Sequence, residues 1–439
     1  MPVNVFPNVP FLFDPDDKDL ITYIQEQGPC YLDDSRSLVE GLNPEDHLGE
    51  QRDVLEDLWT RLLTDALRWL KRKDPREYSD NPKVDSDSFF NRQSLGTERL
   101  DKVLGAFTNF ESLMYGARPD RYRDHVTHTF RVWIIGHGFL KGCLAGRLRV
   151  PENDVEISNE EWECIWAITA LCHDIGYPLT ELDNINQRAK DALRPQGLEP
   201  AGDLSYVFSP RVRPLQDTIL RMMSSKAVRI ATNDSEAYAT HLQNKYYMKF
   251  VNSFGEPEHG VVSALVVGKS LVYFLESDFS QDALAPLSSE DARQFVIRRE
   301  ILRSIAAHTC PEIYHLRFDT LAFLLFIVDE LQCWGRPTFE QLMRERQSGR
   351  PDGVEDKVRL VHFDGKRVEI EVETAGNWSE EEDVATKRRL ENIRKRLRLA
   401  VGSPGLGDLT FSYAVRSANA GQEHSLKLLD GRISTSWES

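Results

Sequence analysis

Residues 169–178 read TALCHDIGYP, and the helix that leads into them sets the fold. Trp162, Ile165, Trp166 and Thr169 recur at helical spacing and run straight to His173. Ser158 and Glu161 form a capping box at the start of this helix, and Gly176 and Pro178 end it. The spacing therefore puts His173 and Asp174 at the C-terminal edge of an apolar helix. Burial there is costly for both side chains unless they are paired or metal-bound.

Three further stretches repeat the situation. His128 lies in DHVTHTFRVW (124–133), on one stripe with Val132, Ile135, Phe139 and Cys143. His308, in SIAAHTCP (304–311), closes a stripe of Ile297, Ile301 and Ile305 ahead of Pro311. Asp329, in LLFIVDELQ (324–332), shares a face with Ala322, Leu325, Phe326 and Cys333. Each polar residue is aimed at the same kind of apolar interior, so the pattern predicts a mainly α-helical core converging on a divalent metal. Mixed imidazole and carboxylate ligands suit a hydrolase that activates water. The competing readings are a hydrogen-bonded core histidine at 128 and an arginine salt bridge at Asp329. His125 is a rival for His128 on the same helical face.

The ordered pattern H…HD…D resembles the HD superfamily of metal-dependent phosphohydrolases over about residues 110–345. H-T-x-R-V at His128, A-L-C-H-D-I-G at the doublet and the apolar helix ending in D-E-L carry the likeness. The resemblance implies an HD-type all-helical catalytic domain, with His128 chosen over His125. It implies metal ligands His128, His173, Asp174 and Asp329, with Asp174 bridging to a second ion. EHGVVSAL (258–265) and SIAAHT are similar to the contexts that supply extra histidines in two-metal members, adding His259 and His308. His259 opens a helix with Val262 and Val266 on its face, and either points inward or sits on the surface.

Asp174, His173 and Arg131 are the expected catalytic residues. Arg131, one turn past His128, either clamps a substrate phosphate or neutralises a carboxylate. Arg131, Tyr177, Arg211, Arg213 and Arg221 are the expected substrate contacts, and Glu181 or Asp183 could supply a general acid. One or two ions are expected: Mn, Fe, Co, Ni or Zn, with Mg less suited to a histidine-rich position.

The resemblance implies hydrolysis of a phosphoester or phosphoanhydride bond of a nucleotide. A deoxynucleotide triphosphohydrolase and an oligonucleotide or cyclic-nucleotide phosphodiesterase are the alternatives, and a metal-bound nucleotide sensor is the non-enzymatic one. The deoxynucleotide branch usually continues the doublet as HDIGH or HDLGH, with a histidine and an acid further on. Here Tyr177, Leu182 and Ile185 stand in those places. The cyclic-dinucleotide branch has a lysine at Tyr177 and a histidine pair where Thr309 follows His308. The motifs single out neither branch.

A chain of 439 residues is long enough for more than one domain. The expected division is a helical extension at 1–105, with one helix near Glu50–Lys71, then the catalytic domain at 106–350 and a separate module at 351–439. Within the catalytic domain, residues 179–258 read as a polar insertion that caps or selects substrate. The module reads β-β-α-β-β, with VRLVHF and RVEIEVE flanking a turn at Asp364-Gly365 and a capping box at Ser379 and Glu382. It is the natural place for a self-association contact. Its basic runs, Lys387–Arg389 and Arg394–Arg398, read as a solvated helix end complementing the macrodipole rather than a nucleic-acid surface.

A net charge of −16 argues against a general nucleic-acid coat but leaves room for a small phosphorylated substrate or a short single strand. Six cysteines without a C-x-x-C pair read as reduced thiols and a cytoplasmic setting. The longest apolar run, Leu321–Val328, is too short for a bilayer, so no membrane partner is expected.

Overall fold

Side-chain caps fix where the helices begin, and those ends place the polar residues singled out above. In the computed structural model the described residues are 16–72, 91–117, 124–150, 152, 155–180, 182–198, 202, 213–231, 236–255, 258–276, 286–313, 317–332, 357–363, 366–374, 378–397, 409–417 and 421–438. The longer helices are α1 (Asp17–Glu26), α2 (Arg52–Arg72), α3 (Thr97–Ala117), α4 (His125–Lys141) and α5 (Asn159–Cys172). They continue with α6 (Leu182–Leu193), α7 (Arg213–Ser224), α8 (Asn244–Gly255), α9 (His259–Ser270), α10 (Ser289–Ala307) and α11 (Leu321–Leu331). Asp124 caps α4 through the Thr127 N–H, the Ser158–Glu161 capping box opens α5, and Ser288–Asp291 forms another at α10.

Tryptophans weld the centre. Trp59 of α2, Trp133 of α4 and Trp166 of α5 are fully buried, each removing apolar area worth roughly 5 kcal/mol of transfer free energy. Their indole N–H groups are not stranded. Trp59 donates to the Leu171 carbonyl at 2.9 Å, Trp166 to the Trp133 carbonyl at 2.8 Å and Trp133 to the Tyr31 hydroxyl at 3.0 Å. The extension is thus part of the same core. The expected helix near Glu50–Lys71 is α2, and residue 105, the expected domain boundary, falls inside α3.

The polar stretch 179–258 is folded where it is described. It holds α6, α7, α8 and the antiparallel hairpin β1 (Ser225–Ala231) and β2 (Glu236–Leu242). Ile219 of α7 packs where a Cβ on Gly268 of α9 would touch it. Gly268 lies nine residues past His259, on the order of 13 Å along the helix.

At the C-terminus β3 (Lys357–Phe363), β4 (Arg367–Thr374), β5 (Thr410–Ser417), β6 (Glu423–Leu429) and β7 (Arg432–Glu438) form one five-stranded sheet in that order. β4 and β5 are parallel and are joined across α12 (Glu380–Arg396); the other pairs are antiparallel. The expected β-β-α-β-β module therefore has one more strand. β7, RISTSWE, alternates Ile433, Thr435 and Trp437 with polar residues, and Asp430 (φ 50°) and Gly431 (φ 71°) make the two-residue turn that pairs it with β6. Asp364 and Gly365 lie outside the described residues, although the strands flanking them pair antiparallel.

The module is not separate from the helices. Phe363 of β3 meets Phe139 of α4 edge-on at 4.8 Å and lies over Phe323 of α11 at 6.2 Å. Phe411 of β5 meets Phe318 at 6.2 Å. One hydrophobic core runs through both parts. Among the described residues no helix is long and apolar enough to cross a membrane.

Candidate metal centre

Five helix ends meet at one point. His128 stands in the first turn of α4, His173 caps the C-terminus of α5, His259 is the first residue of α9 and His308 caps the C-terminus of α10. Asp174 follows His173, and Asp329 sits in the last turn of α11. His128, His173, Asp174 and His308 are buried, and Asp329 and His259 keep side-chain exposures of 20% and 23%.

Asp174 is the hub. Its Oδ2 lies 3.4 Å from His173 Nε2 and 3.6 Å from His128 Nε2. Its Oδ1 lies 3.2 Å from His259 Nε2 and 3.4 Å from His308 Nε2. One carboxylate thus turns an oxygen toward each of two histidine pairs. Asp329 Oδ1 completes the first pair, 3.1 Å from His128 Nε2. Within the groups His128/His173/Asp329 and His173/Asp174/His308, one ligand atom from each residue lies within 4.8 Å of the others.

The far sides of the rings are fixed. His173 Nδ1 is 2.7 Å from the Ala170 carbonyl and His308 Nδ1 is 2.5 Å from the Ile305 carbonyl. His128 Nδ1 bonds the Gln332 side-chain oxygen. Oxygen acceptors at Nδ1 require the proton there, so the lone pair sits on Nε2 and faces inward. Burial also pushes the His173 imidazole below its ordinary pKa, against the opposing pull of Asp174, which favours the neutral form a metal needs. His308 Nε2 is buried and makes no hydrogen bond. The donor set, lone-pair direction and this unfilled nitrogen fit a metal ion, so the buried cluster could hold one.

Two glycines allow the approach. A Cβ on Gly176 would come within 2.6 Å of Ser263 N and 2.7 Å of the His259 carbonyl. With no Cβ there, the Gly176 N–H reaches Ser263 Oγ at 2.8 Å and docks the loop after Asp174 on α9. A Cβ on Gly260 would sit 2.7 Å from the Ile305 carbonyl and 2.9 Å from His308 Nδ1. Glycine at 260 lets α9 close on the end of α10, bringing His259 beside His308 with ring centroids 5.1 Å apart.

Around the ring the other expected residues separate. His125 does not join it; its imidazole lies between Phe107 at 5.1 Å and Tyr177 at 4.4 Å. Tyr177 is half-buried at the rim, 5.6 Å from the His259 ring. A cavity of about 10 Å³, room for one water, lies among residues that include Phe107, His125, Thr129 and Asp174.

Arg131 is engaged elsewhere. Its Nε and Nη2 donate to Asp17 Oδ1 and Oδ2 at 2.7 and 2.6 Å, in a buried bidentate pair. Burial alone would raise the Asp17 carboxyl. His47, Arg131 and the Leu48 N–H outweigh that and hold it far below the carboxylate range. The guanidinium fork expected for a substrate phosphate is thus filled by a carboxylate from α1. Arg221 pairs with Asp217 Oδ2 at 2.7 Å and lies over Tyr247 at 5.7 Å, while Arg213 is exposed at the first residue of α7. An i,i+4 carboxylate on the same helix thus holds the Arg221 guanidinium in this structure. Arg211, Glu181 and the side chain of Asp183 lie outside the described residues.

Sequence reasoning missed Gln332 and Asp17. Gln332 had one signal, a polar residue three after Asp329 at the end of an apolar helix. Asp17 had none, since its partner lies over a hundred residues away in sequence. Comparison of the chain with protein-family models, curated proteins and solved structures finds no match.

Proposed function

We propose that the chain is a metal-dependent phosphohydrolase of the HD type, acting on a phosphoester or phosphoanhydride bond of a nucleotide. The observation that carries this reading is Asp174, whose two oxygens face separate histidine pairs. A lone structural ion needs about four ligands in one closed shell. Six ligands arranged as two groups around a shared carboxylate fit two ions, with His128, His173 and Asp329 on one side and His259 and His308 on the other. Divalent ions bound there would polarise a phosphoryl oxygen and lower the pKa of water. Mn, Fe, Co, Ni or Zn suits the mixed donors better than Mg.

The chain's own residues orient and select. Ala170, Ile305 and Gln332 hold the three inner imidazoles in their ligand tautomer. Asp329 and His259, the two partly exposed ligands, mark the side from which substrate would enter. Tyr177 stands beside His259 on that side, where its ring can stack on a base or sugar. Arg131 is committed to Asp17, so among the described residues at the centre the substrate phosphate falls to the metals.

The test incubates Mn-loaded protein with deoxynucleotides, ribonucleotides, cyclic dinucleotides and short oligonucleotides, and resolves products by chromatography. Turnover of one class, abolished in Asp174→Asn, is the expected result. Release of triphosphate would identify a deoxynucleotide triphosphohydrolase, and shortened strands a phosphodiesterase. Full metal occupancy with tight nucleotide binding and no product from any class would overturn hydrolysis in favour of a sensor.

A further inference from the structure

The basic helix of the C-terminal module is solvated only in part: Arg388, Arg394 and Lys395 are exposed, but Arg389 and Arg396 turn toward the other helices. Arg396 of α12 donates through Nη1 to the backbone carbonyl of His308. Arg389 donates through Nη2 to the carbonyl of Glu330 at 2.8 Å and through Nε to its carboxylate at 3.4 Å. Glu330 follows Asp329, so both guanidinium groups land on the main chain at or beside a residue of the metal centre. Both carbonyls lie at helix C-termini, of α10 and α11, where the last carbonyls have no intrahelical partner and the macrodipole favours a cation. The two arginines are seven residues apart, two turns along one face of α12. Leu390, Ile393 and Leu397 of the same region are buried. Each guanidinium also lies against a ring, Arg396 over Phe326 at 5.4 Å and Arg389 over Tyr413 at 5.5 Å.

We propose that Arg389 and Arg396 are positioning residues for the metal centre, through which the C-terminal module sets the separation of Asp329 and His308. The inference rests on the metal-binding reading above. A rigid helix that caps both α10 and α11 makes the spacing of the two ligand-bearing ends a property of α12, not of either helix alone. Outer contacts of this kind typically govern metal affinity by 10- to 100-fold. The module is then a working part of the centre: a change that shifts α12 is felt at His308 and Asp329 together, while His128 and His173, on α4 and α5, stay put.

The experiment uses the full chain with Arg389→Ala, Arg396→Ala, Arg396→Lys and, as a control of equal charge change, Arg394→Ala, whose side chain pairs with Glu391 on its own helix. Hydrogen exchange of metal-free protein is read over 304–311, 326–332 and 124–133, followed by Mn titration. Arg396→Ala should speed exchange over 304–311 and weaken one class of Mn site about tenfold or more. Arg389→Ala should do so over 326–332 and weaken the other class. Arg396→Lys, still able to donate to the carbonyl, should restore part of the loss, and Arg394→Ala should match wild type throughout. Wild-type exchange and wild-type Mn affinities in both alanine variants would overturn the proposal. Equal weakening of both Mn classes with faster exchange at 124–133 would overturn it too, since that is general loosening of the fold. Wild-type protein that takes up no Mn, Zn or Co would instead overturn the metal reading beneath it, a result recognisable before any variant is made.

Discussion

Asp174 faces four imidazoles at 3.2 to 3.6 Å, so its replacement should do more than any single histidine's. Asp174→Asn is expected to lose both ions and all hydrolysis, whereas His308→Ala should lower metal content by about one ion and keep the fold. Elemental analysis of the purified variants, beside their circular dichroism, checks both. A second residue-scale consequence comes from Glu163. Burial raises its carboxyl, but His137 at 3.6 Å, Lys141 at 2.6 Å and the Cys30 N–H at 3.0 Å prevail and hold it at about 2. A depressed acid contributes stability that is fully present above its unfolded pKa, near 4.3, and is lost as pH falls toward 2. Asp17 is shifted the same way. Wild-type melting temperature should therefore drop between about pH 5 and pH 2, and Glu163→Gln should melt lower at pH 7 with a shallower acid slope. Parallel acid slopes in thermal melts of the two proteins would show that Glu163 carries none of this dependence.

At the scale of elements, the approach of α9 to α10 is what brings His259 and His308 together as one pair. Gly260→Ala places a methyl against the Ile305 carbonyl and His308 Nδ1. Both neighbours are held by the last turn of α10 and cannot give way cheaply. The expected cost is about 1–3 kcal/mol of stability, together with weaker binding of the ion shared by His259 and His308 and little change at the His128 side. Calorimetry with a Mn titration of the same sample separates the two effects. Gly176→Ala should displace the Asp174 loop from Ser263 and weaken both ions. The capping residues act differently: Ser158→Ala removes a bond at the far end of α5 and should cost about 1 kcal/mol without touching metal affinity.

Across the whole molecule, the sheet and the helices share one core, so the centre and the C-terminal module should unfold together. Phe363→Ala opens the seam against Phe139 and Phe323 and is expected to cost about 3–5 kcal/mol. A single cooperative transition, moved to lower temperature, is the outcome to look for in a melt followed by tryptophan fluorescence. A second transition would show the module melting by itself. Saturating Mn should raise the melting temperature by several degrees, because ligand at about a hundred times its dissociation constant adds about 2.7 kcal/mol per site. Asp174→Asn should abolish that rise.

Local chemistry alone determined a good deal of this protein. Helical stripes and capping residues located α2, α4, α5, α10 and α11, and polar residues on those stripes marked His128, His173, Asp174, His308 and Asp329, because a buried charge or imidazole has to be explained by a partner. Alternation flagged β3 and β4, strand-like runs marked β5 and β6, and β7 was missed although Ile433, Thr435 and Trp437 alternate along it. What tertiary structure decided is everything that depends on pairs far apart in sequence. His259 could face water or the ring until Gly260 and Ser263 fixed α9 against α10 and the Asp174 loop. Arg131 carried the same spacing as a phosphate clamp, yet Asp17 occupies it. Arg389 and Arg396 read as solvated charges, yet they cap the helices that carry Asp329 and His308. A side chain's face follows from its own helix, but its partner follows from which other helix end the fold brings against it.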